Sequence, residues 1–488
     1  GTIMTVLTLL GLGLSIDYGL LLVTRYREEL AGVPDEPGVS DTDRRQLAIG
    51  RTWATAGRTV LFSGLTVATA MTGLLVFNDR QLRAIGAAGV AAAALALLVA
   101  ITLTPALLGL FGGKISATSA RNQAASSSGK FDRLAHTVQR RPLSVIVGAG
   151  LLLAVLAVPA LSLRSSLVGL DQVNVNTPAV LAAKLVETRF DQGAPAGILI
   201  VARTDAATLQ QWAEHARSYP QTASVGQAQD VSGGVSTVKI FQRGSASGAQ
   251  SQELVQTLRA HRPTSFTIYV AGDSATLYDV KRLISTGLPA AALIIIGAML
   301  ALLAFMTRSI VVPIKAILMN IVSMAAVAGV LVAVFQFGWG ARLIEAPVMS
   351  GLVPGVLVLV FVMGFGLSMD YELFLLGRIK EYVDAGLATD EAVRRGLQHT
   401  GRTITSAALL MAICFIPFAF ASDVVTQQIG VGLTAAVVLD ATLVRCLLLP
   451  ATMTVLGRWN WWPGRASQQK PDPQPIELIS PRRESVEV

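Results

Sequence analysis

One segment of the sequence occurs twice, and each copy places an acidic residue inside a long apolar run. The first copy is residues 11–30, GLGLSIDYGLLLVTRYREEL, and the second is residues 364–383, GFGLSMDYELFLLGRIKEYV. Half of the aligned positions are identical. A charge at the centre of a bilayer costs about 2.5–3.5 kcal/mol on insertion scales, so an intramembrane acid is a functional candidate. The repeat therefore predicts two functional acids, Asp17 and Asp370, at matching depth.

The composition is that of a polytopic membrane protein. Hydrophobic residues make up 52% of the 488 residues, charged residues make up 14%, and the mean hydropathy is +0.57. The net charge of +8 lies in short loops between apolar runs, which indicates membrane topology and argues against nucleic-acid binding. Runs of about 20 apolar residues are candidate spans. Nine occur, at residues 2–24, 59–77, 82–111, 142–163, 288–306, 311–337, 347–377, 403–421 and 429–456.

The distribution of Lys and Arg predicts the orientation of the chain. Basic residues concentrate in alternate loops, which are expected on the cytoplasmic side, so the long polar segment 164–285 is expected outside. Its pattern, after a lead-in helix at 178–189, reads β-α-β-β-α-β, the ferredoxin-like order. The predicted division is three spans in 1–111, a cytoplasmic linker in 112–141, a span in 142–163, the outside domain in 164–285, five spans in 286–457, and a disordered cytoplasmic tail in 458–488.

The doubling extends beyond the first repeated segment. Ile85-Gly86 matches Ile429-Gly430, and the Pro-Ala pair at Pro105 matches the pair at Pro450. Spans one to three therefore correspond to spans seven to nine. In the second half these three spans follow one span, the outside domain and two more spans. By symmetry we expect roughly 200 residues with the same set before Gly1, in a protein of twelve spans and two outside domains.

These motifs resemble the MmpL (mycobacterial membrane protein large) family of the resistance-nodulation-division superfamily. The resemblance rests on the two Asp-Tyr segments, the outside domain and the ending Leu-Asp-Ala-x-x-x-Arg, which starts at Leu439. It implies a polytopic α-helical membrane protein with an α+β ferredoxin-like extracytoplasmic domain and pseudo-two-fold architecture, its first half incomplete.

The same resemblance implies a multi-pass exporter of the bacterial plasma membrane, driven by the proton gradient, that moves lipids or other amphiphiles towards the envelope. It implies no enzymatic activity and no cofactor, and it leaves room for accessory envelope proteins as partners. The richness in Ala, Gly, Val and Arg fits an actinobacterium. A multidrug exporter of the same superfamily and a non-transporting lipid-sensing scaffold are the alternatives, and the substrate and oligomeric state stay open.

Asp17, Tyr18, Asp370 and Tyr371 are the predicted proton relay. Each acid lies eight residues before an arginine, so it is about 12 Å from the inner edge of a core of about 30 Å. Burial favours the neutral form of a carboxyl group, which couples proton uptake to conformation, and a phenol can both donate and accept. The resemblance implies cross-pairing of Asp17 with Tyr371 and of Asp370 with Tyr18. A static buried polar network is the alternative.

Further residues near the relay have weaker signals. Three serines either extend the polar path or bond their own backbone one turn back: Ser15, Ser63 and Ser368. Glu372 is a second titratable group or, the interpretation we favour, a capped structural acid. Asp440 and Arg445 are expected to form an intramembrane ion pair. Small residues let membrane helices approach closely, so four glycines are expected to bring the two Asp-Tyr pairs into contact: Gly11, Gly13, Gly364 and Gly366.

The sequence offers no nucleotide-driven engine and no metal site. The segment at Gly112-Gly113-Lys114 lacks the first Gly and the Ser or Thr of a P-loop. The four histidines all lie outside the predicted spans, and the two cysteines, Cys414 and Cys446, have no metal-ligand spacing. We expect neither catalytic residues nor a bound metal. We expect the energy for transport to come from an ion gradient or from a partner.

Overall fold

A computed structural model describes residues 2–33, 40–115, 130–167 and 197–464. The Ser-rich part of the linker, the lead-in helix at 178–189 and nearly all of the tail lie outside the described residues. The helices are α1 Thr2–Gly32, α2 Asp41–Thr52, α3 Arg58–Thr72, α4 Arg80–Phe111, α5 Lys130–Arg140, α6 Pro142–Ala157, α7 Ala206–Glu214, α8 Ala249–Ala260, α9 Asp273–Thr307, α10 Val311–Phe335, α11 Pro354–Asp384, α12 Thr389–Phe415, α13 Val424–Leu439 and α14 Leu449–Leu456.

Among the described residues, eight helical stretches are long and apolar enough to cross a membrane. They overlap predicted spans two to nine, but some ends differ: the helix of the seventh span begins at Pro354, whereas the predicted span begins at residue 347. The eight stretches are Asp41–Val76, Arg80–Phe111, Pro142–Ser162, Asp273–Thr307, Val311–Phe335, Pro354–Asp384, Thr389–Phe420 and Val424–Trp461. The first predicted span lies within α1, a helix of 31 residues. Several helices extend beyond their apolar runs, because backbone hydrogen bonding continues into polar sequence: α9 starts at Asp273, fifteen residues before the run that begins at 288.

The second copy of the repeated segment lies in the most enclosed helix of the bundle. In α11, 89% of the apolar window is buried, against 17% for α6 and 22% for α9. α11 packs on α3, α12 and α13, and α1 packs on α4 and α12. The outer helices expose large apolar side chains such as Leu151, Leu293 and Phe305, a surface suited to lipid tails, which are as apolar as leucine.

Close contact between α6 and α10 depends on Gly329. A Cβ at this position would lie 1.8 Å from the carbonyl oxygen of Leu156, in the backbone of the neighbouring helix. No side chain fits there without moving a helix. The glycine therefore sets the distance between these two helices, as small residues do in membrane bundles.

The polar segment folds into an α+β domain with its own core. Its strands are β1 Ile198–Ala202, β2 Thr222–Val225, β3 Gln229–Ser232, β4 Val235–Gln242 and β5 Ile268–Ala271. The sheet order is β2-β4-β1-β5, all pairs are antiparallel, and β3 pairs with β4. The predicted ferredoxin-like order is confirmed, with β3 as an added hairpin strand. Alternate residues of β1 (Ile198, Ile200 and Ala202) are buried in the core, as period-two alternation requires.

Gly272 connects the last strand of this domain directly to a helix of the membrane bundle. Gly272 follows β5 with φ of +100°, a conformation that favours glycine, and α9 begins at the next residue. The first turns of α9 pack into the α+β domain through Ala275, and Asp279 forms an ion pair with Arg259 of α8. One helix therefore belongs both to the domain and to the bundle.

Candidate functional site

The two copies of the repeated segment meet in the middle of the bundle at one hydrogen bond. The Tyr371 hydroxyl of α11 donates to Asp17 Oδ1 of α1 over 2.7 Å. Both side chains are buried, and Met411 Sδ of α12 lies 3.1 Å from the same hydroxyl. This is the contact that the resemblance implies between Asp17 and Tyr371. The function of the two groups as a proton relay stays a prediction.

The second cross-pair, Asp370 with Tyr18, is not hydrogen-bonded, and here the expectation was wrong. Asp370 Oδ1 accepts from the Thr66 hydroxyl of α3. Among the described residues, Asp370 Oδ2 and the Tyr18 hydroxyl have no hydrogen-bond partner, although both are buried. Ser63 lies beside both groups. The two acids therefore differ: one is bound to the phenol of the other copy, and the other to a threonine of a neighbouring helix.

Thr66 is a site residue that the sequence analysis missed. It lies three residues after Ser63, so both project from the same face of α3 towards Asp370. The Ser63 carbonyl oxygen lies 2.7 Å from the same hydroxyl oxygen and is the alternative acceptor for its single proton. The available signal was this spacing of two hydroxyl residues in an apolar run.

A buried ion pair lies against the relay. Asp440 and Arg445 form the expected pair. The Arg445 guanidinium also donates to the carbonyl oxygen of Ser368 and lies over the Tyr371 ring, 4.6 Å from its centroid. The Ser368 hydroxyl donates to Asp440 Oδ1 over 2.6 Å. Arg445 is thus the basic neighbour of the relay, and it contacts the ring that bonds Asp17.

A π-helical segment aligns this ion pair. On an α-helix, residues five apart lie about 140° apart around the axis. Residues Asp440–Leu448 form a π-helix, in which residue i bonds to residue i+5, so both side chains reach the same face. The first half has neither charge: its counterpart α4 is α-helical from Arg80 to Phe111.

The sequence offset between the halves explains the π-helix. Ile85 and Ile429 are 344 positions apart, but Pro105 and Pro450 are 345 apart. The second half therefore has one extra residue between these landmarks, and one inserted residue is what a π-bulge accommodates. Such bulges occur frequently at functional sites.

A small cavity opens between the relay and the ion pair. Its volume is about 10 Å³, enough for about one water molecule. Ser368, Tyr371, Asp440 and Arg445 contribute its polar lining. Within the described chain, Arg445 Nε and Nη1 have no hydrogen-bond partner. The arrangement has the dimensions and polarity for a water that connects the relay to the ion pair.

The remaining predicted residues take different places. Ser15 is exposed on the outer face of α1, away from the relay. Glu372 is buried in α11, where its charged neighbours are Asp440, Arg445 and Lys315. Its Oε1 has no hydrogen-bond partner in the described residues, so no cap accounts for this oxygen. Lys315 was not predicted as a site residue; it is buried in α10, and its Nζ lies 3.3 Å from Asn460 Oδ1.

The four glycines do not bring α1 against α11, and that expectation was wrong. Gly13 packs on Met411 and Phe415 of α12, and a Cβ on Gly11 would meet nothing within 4 Å. Gly364 packs on Met324 and Ala436, and Gly366 packs on Ala70 and Val67. The glycines instead fit α1 and α11 against α3, α10, α12 and α13. The two acids approach because these shared neighbours hold both helices.

Among the described residues, no group of three or more His, Cys, Asp or Glu side chains is placed to hold a metal ion. Cys414 and Cys446 are free thiols. The chemistry of the site therefore comes from carboxyl, phenol, hydroxyl and guanidinium groups.

Comparison with known proteins gives one family match. The model of the MMPL family matches residues 1–145 and 175–476. A putative membrane protein, SCO6666 of Streptomyces coelicolor, is 38% identical over 94% of this chain and 63% of its own. The mycolic acid-containing lipids exporter MmpL11 of Mycolicibacterium smegmatis is 33% identical over 93% of this chain and 49% of its own.

A third relative has a name that implies a different cargo. The heme uptake protein MmpL11 of Mycobacterium tuberculosis is 32% identical over 93% of this chain and 48% of its own. The chain thus spans about half to two thirds of the length of these relatives.

Among solved structures, SecDF, a translocon-associated membrane protein from Thermus thermophilus, superposes with a TM-score of 0.53 at 15% identity, over 92% of this chain and 53% of that one. This likeness concerns the fold alone.

Proposed function

The chain belongs to the MMPL family, and from this premise we propose that it is part of a proton-driven exporter of lipids or other amphiphiles. The family and the eight apolar helices make it a multi-pass membrane protein. The name of one relative specifies export of mycolic acid-containing lipids. The proton drive rests on the site geometry.

The observation that carries the proposal is the Tyr371–Asp17 hydrogen bond between the two repeat copies. An ionised carboxylate only accepts, whereas a protonated one also donates. Proton uptake by Asp17 therefore changes its hydrogen-bonding with the Tyr371 hydroxyl, and with it the contact between α1 and α11. Proton uptake by Asp370 changes its bond with Thr66 in the same way. A ligand shifts a conformational equilibrium through such differential contacts.

Arg445 provides a second way in which the charge of the two acids affects the contacts around the relay. The guanidinium lies over the Tyr371 ring and interacts with both Asp17 and Asp370. A cation between two acids stabilises the state in which one of them is ionised. Protonation of the acids in turn weakens the attraction of Arg445 to this side and leaves Asp440 as its carboxylate partner.

The α+β domain is the part that such helix movement reaches. α9 runs from the domain into the membrane bundle without interruption, and its membrane part packs on α3, α10 and α11. Displacement of α11 or α3 is therefore transmitted to the domain. We place residues 164–285 outside the cell and the tail in the cytoplasm, because Lys and Arg concentrate in the alternate loops.

The test is lipid export by the full-length protein in a host strain that lacks its own copy. Asp17→Asn removes the titratable group and keeps the size of the side chain. We expect envelope lipids to fall to the level of the deletion strain, with normal amounts of protein in the membrane. Ser15→Ala is the matched control, since it alters an exposed residue of the same segment and should export normally.

Other outcomes identify the competing functions. An Asp17→Asn strain with normal envelope lipids would refute the proposal. A change in drug susceptibility with unchanged lipids would favour a multidrug exporter. A defect in growth on heme as iron source would favour the uptake that the name of the Mycobacterium tuberculosis relative states. Lipid binding that is unaffected by collapse of the proton gradient, without transport, would favour a sensor.

A further inference from the structure

The repeated segment ends in a second shared motif that the relay does not use. Each copy has an arginine followed three residues later by a glutamate: Arg25 and Glu28 in the first, Arg378 and Glu381 in the second. Arg25 Nη1 lies 3.0 Å from Glu28 Oε2, and Arg378 Nη1 lies 2.9 Å from Glu381 Oε2. Each copy thus forms the same ion pair on its own helix.

One of these acids also crosses to the other copy. Arg378 Nη2 lies 3.2 Å from Glu28 Oε2, so the oxygen that accepts from Arg25 also accepts from Arg378. In the described part of the chain, α1 and α11 are joined by polar contacts at two levels, Tyr371–Asp17 and Arg378–Glu28. Glu28 lies eleven residues beyond Asp17, about 16 Å further along the helix. The second contact therefore lies towards the inner membrane edge.

The surroundings of Glu28 suit a group that exchanges protons with water. Its side chain is 38% exposed, whereas Arg25 and Arg378 are 16% and 17% exposed. The other charged or titratable groups facing it are Glu29 of its own helix and Glu381 and Tyr382 of α11. On α2, Arg51 faces Glu29.

Protonation of Glu28 falls within the physiological pH range. Partial burial, and then the neighbouring carboxylates Glu29 and Glu381, raise the pKa of Glu28 to about 7, while the bonds from Arg25 and Arg378 to Oε2 favour the ionised form. Above this value Glu28 is ionised and attracts both guanidiniums. As the pH falls through about 7, Glu28 takes up a proton and loses the charge that holds Arg378. The contact between the copies is therefore strongest at alkaline pH.

We propose that Glu28 is the proton-release site on the inner side of the protein and that its ionised form holds the inner ends of α1 and α11 together. This inference rests on the proposed proton-driven function. A proton that reaches Glu28 neutralises the carboxylate and weakens the Arg378 contact. Release of that proton to the inner water restores the charge and re-forms the contact. Glu28 thereby couples proton exit to the distance between the two copies.

The first experiment measures that distance in the full-length protein in lipid nanodiscs. Spin labels at Gly32 and Ala385, both exposed at the ends of α1 and α11, are introduced after replacement of Cys414 and Cys446. We expect the label distance to increase between about pH 8.5 and about pH 6, with a midpoint near the pKa of Glu28. Glu28→Gln should show the longer distance at both pH values, and Glu28→Asp should keep a pH-dependent change.

The control removes an ion pair of the same region that stays within one helix. Among the described residues, Asp384 pairs with Lys380 of its own helix, so Asp384→Asn should keep the wild-type distances at each pH. Glu28→Gln with the pH-dependent distances of the wild type would overturn the proposed bridge. A folded Glu28→Asp variant also shows that any loss in Glu28→Gln reflects the missing acid.

The second experiment measures proton flux through the reconstituted protein. We expect Glu28→Gln to reduce the flux at least tenfold and to abolish its dependence on inner pH near 7. Wild-type flux in this variant would overturn the release role. Failure of the exporter proposal is visible separately: Asp17→Asn would then export lipids normally, whatever the distance between Gly32 and Ala385 does.

Discussion

Removal of one hydroxyl, in Tyr371→Phe, tests whether the hydrogen bond between the repeat copies holds the bundle in the observed state. The substitution keeps the aromatic ring, so the stacking of Arg445 at 4.6 Å should persist. It removes the donor that lies 2.7 Å from Asp17 Oδ1. The Asp17 oxygen then remains buried without this partner.

The expected cost follows from the energetics of buried hydrogen bonds. A bond to a charged group contributes about 1.5–3 kcal/mol, and an acceptor left unsatisfied costs about 1–3 kcal/mol. A change of 1–3 kcal/mol in the contact between α1 and α11 shifts the conformational equilibrium about 5- to 150-fold. We therefore expect slower export together with a measurable loss of stability.

The repeat supplies a matched control for this experiment. Tyr18 occupies the equivalent position in the first copy, is equally buried, and its hydroxyl has no hydrogen-bond partner among the described residues. Ser63 lies beside this hydroxyl without a hydrogen bond of normal geometry, so Tyr18→Phe should be close to neutral or stabilising. The assay is thermal unfolding of the purified full-length variants in detergent, beside lipid export in cells.

The comparison of the two variants decides the outcome. We expect a lower unfolding temperature for Tyr371→Phe and no decrease for Tyr18→Phe. Equal losses in both variants would show that the two hydroxyls are equivalent, which contradicts the asymmetry of the structure. A Tyr371→Phe variant with wild-type stability and export would refute the assigned importance of the Asp17 contact.

Two further substitutions test the surroundings of the relay. Arg445→Met leaves Asp440 buried without its charge partner and should cost about 3–5 kcal/mol in the free energy of unfolding. Adding Asp440→Asn to this variant should recover much of the loss. Thermal unfolding of the single and double variants measures both effects. Gly329→Ala places a Cβ 1.8 Å from the Leu156 carbonyl oxygen and should lower the unfolding temperature strongly, whereas Gly11→Ala meets nothing within 4 Å and should be tolerated. Equal effects of the two alanines would contradict the packing between α6 and α10.

The elements that follow from local pattern could be predicted from the sequence. The repeated Asp-Tyr segments identify Asp17 and Asp370, because an acid in an apolar run is costly and its doubling is visible without a structure. The ferredoxin-like order follows from alternation in strands such as β1 and from turn-bounded helices. The Asp440–Arg445 pair follows from the rarity of charge in membrane spans, whereas the π-helix that aligns the two side chains could not be predicted from their spacing of five residues.

Contacts that depend on the crossing of distant helices could not be predicted. Thr66 bonds Asp370 because α3 packs beside α11, and a threonine in an apolar run usually bonds its own backbone. The family resemblance implied a pairing of Asp370 with Tyr18, but the site is asymmetric, since only the second half has Arg445.

Proton flux through the reconstituted full-length protein tests the central claim most directly. A pH gradient is imposed on liposomes containing the wild type, Asp17→Asn, Asp370→Asn or Ser15→Ala, and internal pH is followed with a trapped dye. The relay predicts flux in the wild type and in Ser15→Ala, and only the leak of protein-free liposomes in either asparagine variant. Wild-type flux in Asp17→Asn or in Asp370→Asn would contradict the account.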